Sequence, residues 1–373
     1  MKKGAISMLA VLLLAGCWDE RLVKDINLIY SQALDKTEED LIETTIVTIG
    51  GAPNESGAQT GSSQEPAIIS AVGNTPRDSR MNLDRKVSGE LFASKNRVTL
   101  LSQTLAEENI YSLLDVHYRS PLSTTNARIA VVKGNAKKAL HVKTAETPLI
   151  SDYLGDLLLG LEEVQSIPKA SMENVLSALF DNGSDFALPL LHAIDHENVA
   201  LEGLALFDHD HMSGQMNADQ TLRLLLMDRD RIKPRRFNIR VTDHEENRVN
   251  NYVTVDVEEK NRELVVTREA PKQFNAHIHV SLTLNIVEYP KDSLYIEEHV
   301  TDLNEHINKR LQTEAEEVLR IIQEANCDYY GIGKHIRAFY YEDWQEMNWE
   351  ETYPTIPLTV SMDTKVIYHG IVN

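Results

Sequence analysis

The residues best equipped for a defined chemical step are Leu14-Ala15-Gly16-Cys17. The Cys17 thiol can take a thioether-linked diacylglycerol. Small residues at Ala15 and Gly16 let a peptidase groove close on the peptide and cut between Gly16 and Cys17, after which Cys17 can carry an N-acyl chain as well. Lys2 and Lys3 precede an apolar run from Ala5 to Ala15, the order of an export leader. That run of about 11 residues, at about 1.5 Å each, covers only half of a roughly 30 Å hydrocarbon core, so it is a leader and not an anchor. The blander alternative is an ordinary leader with a chance cysteine. Two acyl chains give stable anchoring, at about 0.8 kcal/mol per buried methylene, where one is marginal. The expectation is a leader over 1–16, a lipid-anchored linker over 17–24 and a water-soluble body on the outer face of a bacterial membrane, with no cofactor beyond the lipid on Cys17.

Other reactive-looking groups have plainer readings. Asp208-His209-Asp210-His211 offers imidazole and carboxylate to a metal, yet such residues also suit a hairpin turn, and neighbours on a turn rarely converge on one ion. His277 and His279 share a strand face with no acidic or sulfur partner nearby in sequence. No metal site is expected. Gly331-Ile332-Gly333-Lys334 lacks the full phosphate-loop pattern and reads as a helix stop. Met212-Ser213-Gly214 is a turn, no Gly-x-Ser-x-Gly is present, and no carboxylate pair is singled out for glycoside hydrolysis. A non-enzyme is expected.

The 57 acidic and 37 basic side chains give a net charge of −20, and loss of Lys2 and Lys3 with the leader deepens it. Such a surface repels nucleic acid and anionic headgroups, so membrane affinity falls to the lipid. Of two cysteines, Cys17 is assigned to lipid, and Cys327 reads as a buried thiol without a disulfide partner.

The elements that must position these groups suggest an α+β, or mixed α/β, multi-domain body of sheets packed against helices. Strand and helix alternate over 25–198. Strands are expected at 26–33, 41–49, 67–72, 97–101 and 127–132. Helical stretches are expected at Leu83, Val87, Leu91 and Phe92, then at 104–117, 137–142, 151–165 and 171–180. Between the second and third strands, 50–66 has almost nothing to bury and reads as a flexible loop. A middle hairpin-rich domain is expected over 199–270, with strands at 199–207, 249–257 and 264–268 and a helix through Leu222, Leu225 and Leu226. A C-terminal domain follows over 271–373. There, 277–287 alternates apolar and polar with period two, Val300, Leu303, Ile307, Leu311, Val318, Leu319 and Ile322 stripe a long helix over 295–325, and a last strand runs 356–367.

Two regions together resemble the Ger(x)C family, the C-subunit lipoproteins of bacterial spore germinant receptors. One is Gly16-Cys17-Trp18-Asp19. The other is the tail: Cys327-Asp328-Tyr329-Tyr330-Gly331-Ile332-Gly333, Ile336-Arg337, Tyr340-Tyr341, Trp344, Trp349 and Tyr353-Pro354, with a closing strand to His369-Gly370-Ile371. Gly203 to Phe207 followed by Met212-Ser213-Gly214 is similar to the family's hairpin before its helix. The chain departs at Glu20-Arg21 and at Tyr341, where a proline is usual. The resemblance implies a three-domain α/β body with no established enzyme activity. It further implies a receptor subunit in the spore inner membrane, beside two integral-membrane partners (A-type and B-type), that responds to small nutrients and starts germination. Trp18, Asp19, Trp344, Trp349 and Tyr353 are the candidate partner contacts. Trp344 and Trp349, five apart, would not share a helix face, so one is expected inside and one at an interface, or both in the core. A lipid-anchored solute-binding protein is the competing reading, and an anchored wall hydrolase a third.

Overall fold

A computed structural model of the protein describes residues 26–49, 66–119, 123–144, 147–229, 235–291 and 294–368. The leader, Gly16, Cys17, Trp18, Asp19, the loop expected over 50–66 save Pro66, and His369 to Ile371 lie outside the described residues.

The elements are β1 (Ile26–Lys36), β2 (Ile42–Ile49), β3 (Ala67–Gly73), α1 (Pro76–Asp84), β4 (Glu90–Phe92), β5 (Val98–Ser102), α2 (Gln103–Ala106), α3 (Ile110–Arg119), β6 (Arg128–Val132), α4 (Lys137–Leu140), α5 (Ile150–Glu163), α6 (Met172–Leu179) and β7 (Ala187–Ala193). Then come β8 (Val199–Asp208), β9 (His211–Asn217), α7 (Ala218–Leu226), β10 (Arg235–Arg240), β11 (Tyr252–Ala270), β12 (Gln273–Glu288), α8 (Glu297–Glu324), α9 (Ile332–Phe339), α10 (Tyr341–Gln345), α11 (Trp349–Thr352) and β13 (Leu358–Tyr368).

The first nine strands form one sheet in the order β3-β2-β1-β5-β6-β7-β8-β9, with β4 against β1. Its centre is parallel and its flanks antiparallel. Both faces are covered, which is why β5 and β6 are buried along nearly their whole length. Leu100, Ala130 and Val132 face the core shared with α5, and Leu101, Ile129 and Val131 face the one shared with α3 and α6. Side-chain caps start several helices: Thr75 and Pro76 open α1, Ser171 opens α6, and Asn217 forms a capping box with Gln220 at α7.

The second sheet runs β10-β11-β12-β13, and the stripe Leu303, Ile307, Leu311, Ala315, Val318, Leu319 and Ile322 of α8 is buried against it. The helix also reaches over the outer strand. Gln312 donates to Val360 O (2.8 Å) and accepts from Met362 N (2.9 Å), Asn304 donates to Thr364 O (3.0 Å), and Gln323 donates to Ile356 O (2.8 Å). Helix α1 and the turn after it do the same for β3, where Asn82 donates to Val72 O (2.8 Å) and Lys86 to Ser70 O (2.6 Å).

The expected elements hold in type, with differences that have local causes. Leu91 and Phe92 belong to β4, because α1 stops at Asp84 before Gly89 turns the chain. The strands expected at 249–257 and 264–268 are one 19-residue strand, since the charged stretch between them continues pairing with β12 as an exposed arm. The expected boundary at 198/199 falls between β7 and β8, which pair in one sheet, and that at 270/271 falls inside the β11–β12 hairpin. Backbone pairing thus groups the strands into two sheets, which part between β9 and β10.

Candidate functional site

The tail singled out by its sequence packs its apolar residues on the β11–β12 hairpin of the second sheet and reaches the edge of the first with its polar groups. Cys327-Asp328 follows α8, and α9 to α11 then wrap over the segment 181–186 between α6 and β7. Asp328, 0 % exposed, is the pivot. Its Oδ1 accepts from Ile332 N (2.8 Å) and its Oδ2 from Gly333 N (2.7 Å), closing the start of α9. Its backbone is locked reciprocally to Asp185: Asp328 N donates to Asp185 Oδ2 (2.8 Å), and Asp185 N donates to Asp328 O (3.0 Å). The other Asp185 oxygen accepts from His209 N (2.9 Å) in the turn after β8. Loss of water raises Asp185 to about 6 and Asp328 to about 7 despite the amides that favour their charged forms.

Around this acid pair the joint is stitched by polar contacts. Lys334 N donates to Gly183 O (2.6 Å), Arg337 donates to Asn182 O (2.9 Å), and Lys334 Nζ and Arg337 both reach the Asp181 carboxylate. Asn326 donates to Asp208 (3.0 Å) and to Glu350 O (3.1 Å). Two glycines are needed sterically. Gly331 has φ +70°, the left-handed region that suits glycine. A Cβ on Gly333 would sit 2.5 Å from Trp349 Cε2, so the indole lies directly on the backbone. A cleft of about 350 Å³ remains, lined in part by Asp208, His209, Asn326, Trp344 and Trp349.

The candidate contacts separate here. Trp344 and Trp349 do meet, with ring centroids 5.5 Å apart, because α10 ends at Gln345 and the chain turns before α11. Both rings are half-buried. Tyr353 corrects the expectation of an interface: it is 1 % exposed and donates to Cys327 O (2.9 Å), so its ring is core. Trp18 and Asp19 lie outside the described residues. Cys327 is buried, and loss of water raises its thiol well above the usual range, away from nucleophilic use.

The histidines are absorbed by hydrogen bonds. His277 lies 2.8 Å from Thr359 Oγ1 and 2.9 Å from Ser361 Oγ, and His279 is 2.8 Å from Ser361 Oγ. Asp210 of the acidic turn accepts from Ile110 N through its carbonyl (2.8 Å). Among the described residues no three His, Cys, Asp or Glu side chains gather as a metal cage, and no helix is long and apolar enough to cross a membrane. Sequence reasoning missed Asp181, Asp185 and Gly183. Their signal, Asp181-Asn182-Gly183-Ser184-Asp185, is an ordinary turn until its distant partner is known.

Comparison with known proteins matches both halves. The N-terminal domain family of spore germination proteins matches residues 19–193, and the C-terminal family described as spore germination B3/GerAC like matches 202–370. The chain is 23 % identical to spore germination protein GerQC of Bacillus cereus, over 100 % of this chain and 99 % of that protein. It is also 23 % identical to spore germination protein KC of Bacillus subtilis (strain 168), over 99 % of this chain and 95 % of that one. The crystal structure of the GerBC protein superposes with a TM-score of 0.57 at 16 % identity, covering 90 % of this chain and 96 % of that one, and shares the fold. The gap between the matched ranges, 194–201, holds the expected boundary at 198/199, so the family units divide there although the strands on either side pair.

Proposed function

The chain belongs to the Ger(x)C family of spore germinant receptor C subunits, and from that premise we propose that it is a lipid-anchored, non-catalytic subunit of a nutrient germinant receptor. In this reading Cys17 carries the diacylglycerol and N-acyl chains. The body rests on the outer face of the spore inner membrane, beside an A-type and a B-type integral-membrane subunit. Anchoring raises the effective concentration of the body for those partners, which a soluble acidic protein would lack.

The observation that carries the reading is the fate of the tail. Its motif residues build a rigid joint between the two sheets, with Asp328, Gly331, Gly333 and Trp349 spent on architecture. Such a joint fits a body whose task is to hold two modules in one orientation for partners.

Cys17→Ala in the full chain is the test. The body is expected to leave the membrane fraction while keeping its fold, with germination through that receptor lost. Retained membrane attachment and an undiminished response would sink the proposal.

A further inference from the structure

The cleft of about 350 Å³ beside the joint is not consumed by architecture. Its walls come from the segment between α6 and β7, the turn after β8, and the tail. Trp344 and Trp349 form one wall with Met347, their ring centroids 5.5 Å apart and their planes inclined at 44°. Asp181, Asp185, Asp208 and Glu350 supply carboxylates, and among the described residues no lysine or arginine lines the space.

Those carboxylates are not equivalent. Asp181 is answered by Lys334 and Arg337, and Asp185 is filled by the amides of Asp328 and His209. Asp208 and Glu350 make no ion pair among the described residues. Asn326 stands between them, with Nδ2 donating to Asp208 Oδ2 (3.0 Å) and to Glu350 O (3.1 Å). Both of those partners accept, so the amide fits only one way round, and its Oδ1 is left buried without a partner.

The walls thus offer aromatic faces and acceptors, and no cation of their own. A metal ion is a poor match, since no three ligating side chains converge among the described residues. A guanidinium matches both parts: it is planar, stacks on indole, and carries only donors. The cavity under α3 shows the contrast. About 220 Å³ in volume, bounded also by α1 and β4 and lined in part by Gln32 and His117, it sets Arg77 and Arg80 against Asp84 and Glu90 and so favours neither sign of charge.

The charge of the whole chain says where such a guanidinium comes from. A body of net charge −20 draws a basic protein surface in at long range. Tryptophan and arginine are also the residues that anchor protein interfaces. A free cation gains only the local contact.

We propose that this cleft receives an arginine side chain of another receptor subunit, with Trp344 and Trp349 against the guanidinium plane and Asp208 and Glu350 pairing with its charge. The site gives the receptor assembly proposed above a defined contact, and rests on that reading.

Two measurements test it. In the first, the full-length chain in detergent micelles is titrated with acetyl-Gly-Arg-Gly-amide, with acetyl-Gly-Gln-Gly-amide as the uncharged control. The arginine peptide is expected to bind saturably and to shift the tryptophan emission, and the glutamine peptide to do neither. Glu350→Gln, on an exposed side chain, and Asp208→Asn, which keeps an oxygen for Asn326, are together expected to weaken binding about tenfold, the scale of one charge-assisted contact. In the second, the wild-type chain is expected to co-isolate from membranes with the A-type and B-type subunits, and the double variant to lose about tenfold in yield with its unfolding midpoint unmoved. No binding of the arginine peptide, binding indifferent to the double variant, or a double variant that co-isolates as well as the wild type would each overturn the proposal while the assembly reading stands. A wild-type chain that co-isolates with neither subunit would sink both.

Discussion

The joint and the cavity are both buried polar centres, built on opposite terms. At the joint both carboxylates are filled: Asp328 takes Ile332 N and Gly333 N, and Asp185 takes Asp328 N and His209 N. Beside the cavity under α3, Asn96 Oδ1 is buried without a partner, and His117 Nε2 meets the Gln32 amide. A satisfied network fixes a structure, while an unsatisfied one leaves room for a ligand. The acid pair therefore reads as architecture, and the group around Asn96 as a polar centre left partly unfilled.

The largest expected effect breaks the first side of that contrast. Asp328→Ala strips the acceptors from two buried amides, at about 1–3 kcal/mol each, so urea unfolding should show a loss of about 3 kcal/mol or more. Gly333→Ala should cost about 1–3 kcal/mol by forcing the Trp349 ring away. Trp349→Phe should cost less, because the indole Nε1 has no partner to lose among the described residues.

Acidity should then separate the two centres by sign. Asp185 and Asp328 keep their protons in the folded chain up to about 6 and 7, so between about pH 4 and 7 the folded state binds more protons and stability falls as pH rises. Burial lowers His117 to about 4, so between about 4 and 6.5 the unfolded state binds more and stability falls as pH drops. Unfolding at pH 5 and pH 8 should find Asp328→Asn least penalised at the higher pH and His117→Gln least penalised at the lower. Equal responses would erase the distinction. Smallest of all, Asn96→Ala should change stability by no more than about 1 kcal/mol, since half of that amide is already unbonded.

The parts of this molecule visible in its sequence are those with a strong period. The stripe of α8 and the alternation of β12 locate both elements to within a few residues, because one helix face and one sheet face are buried along their whole length. Strands β7 and β10 were not anticipated. Pro189 interrupts the first, and the second offers only Phe237 and Ile239 between arginines. Strand β11 read as two pieces because Glu258 to Glu263 is polar, and tertiary pairing with β12 overrides that composition. The tail motif was legible as a unit, but not its meaning, since Asp328 is held by a residue 143 positions earlier. The cavity gave no linear signal, as its polar groups come from β1, α1, β4 and α3.

The polar side chains laid along β3 and β13 from α1, the turn after it and α8 also decide what the molecule refuses. A bare sheet rim is a template on which another chain can add a strand, and copies confined side by side would find one another's rims readily. With the outward carbonyls of Ser70, Val72, Val360 and Thr364 already engaged, strand addition at these two edges is disfavoured. At these two edges neighbours must be chosen by side-chain complementarity, which permits crowding there without strand exchange.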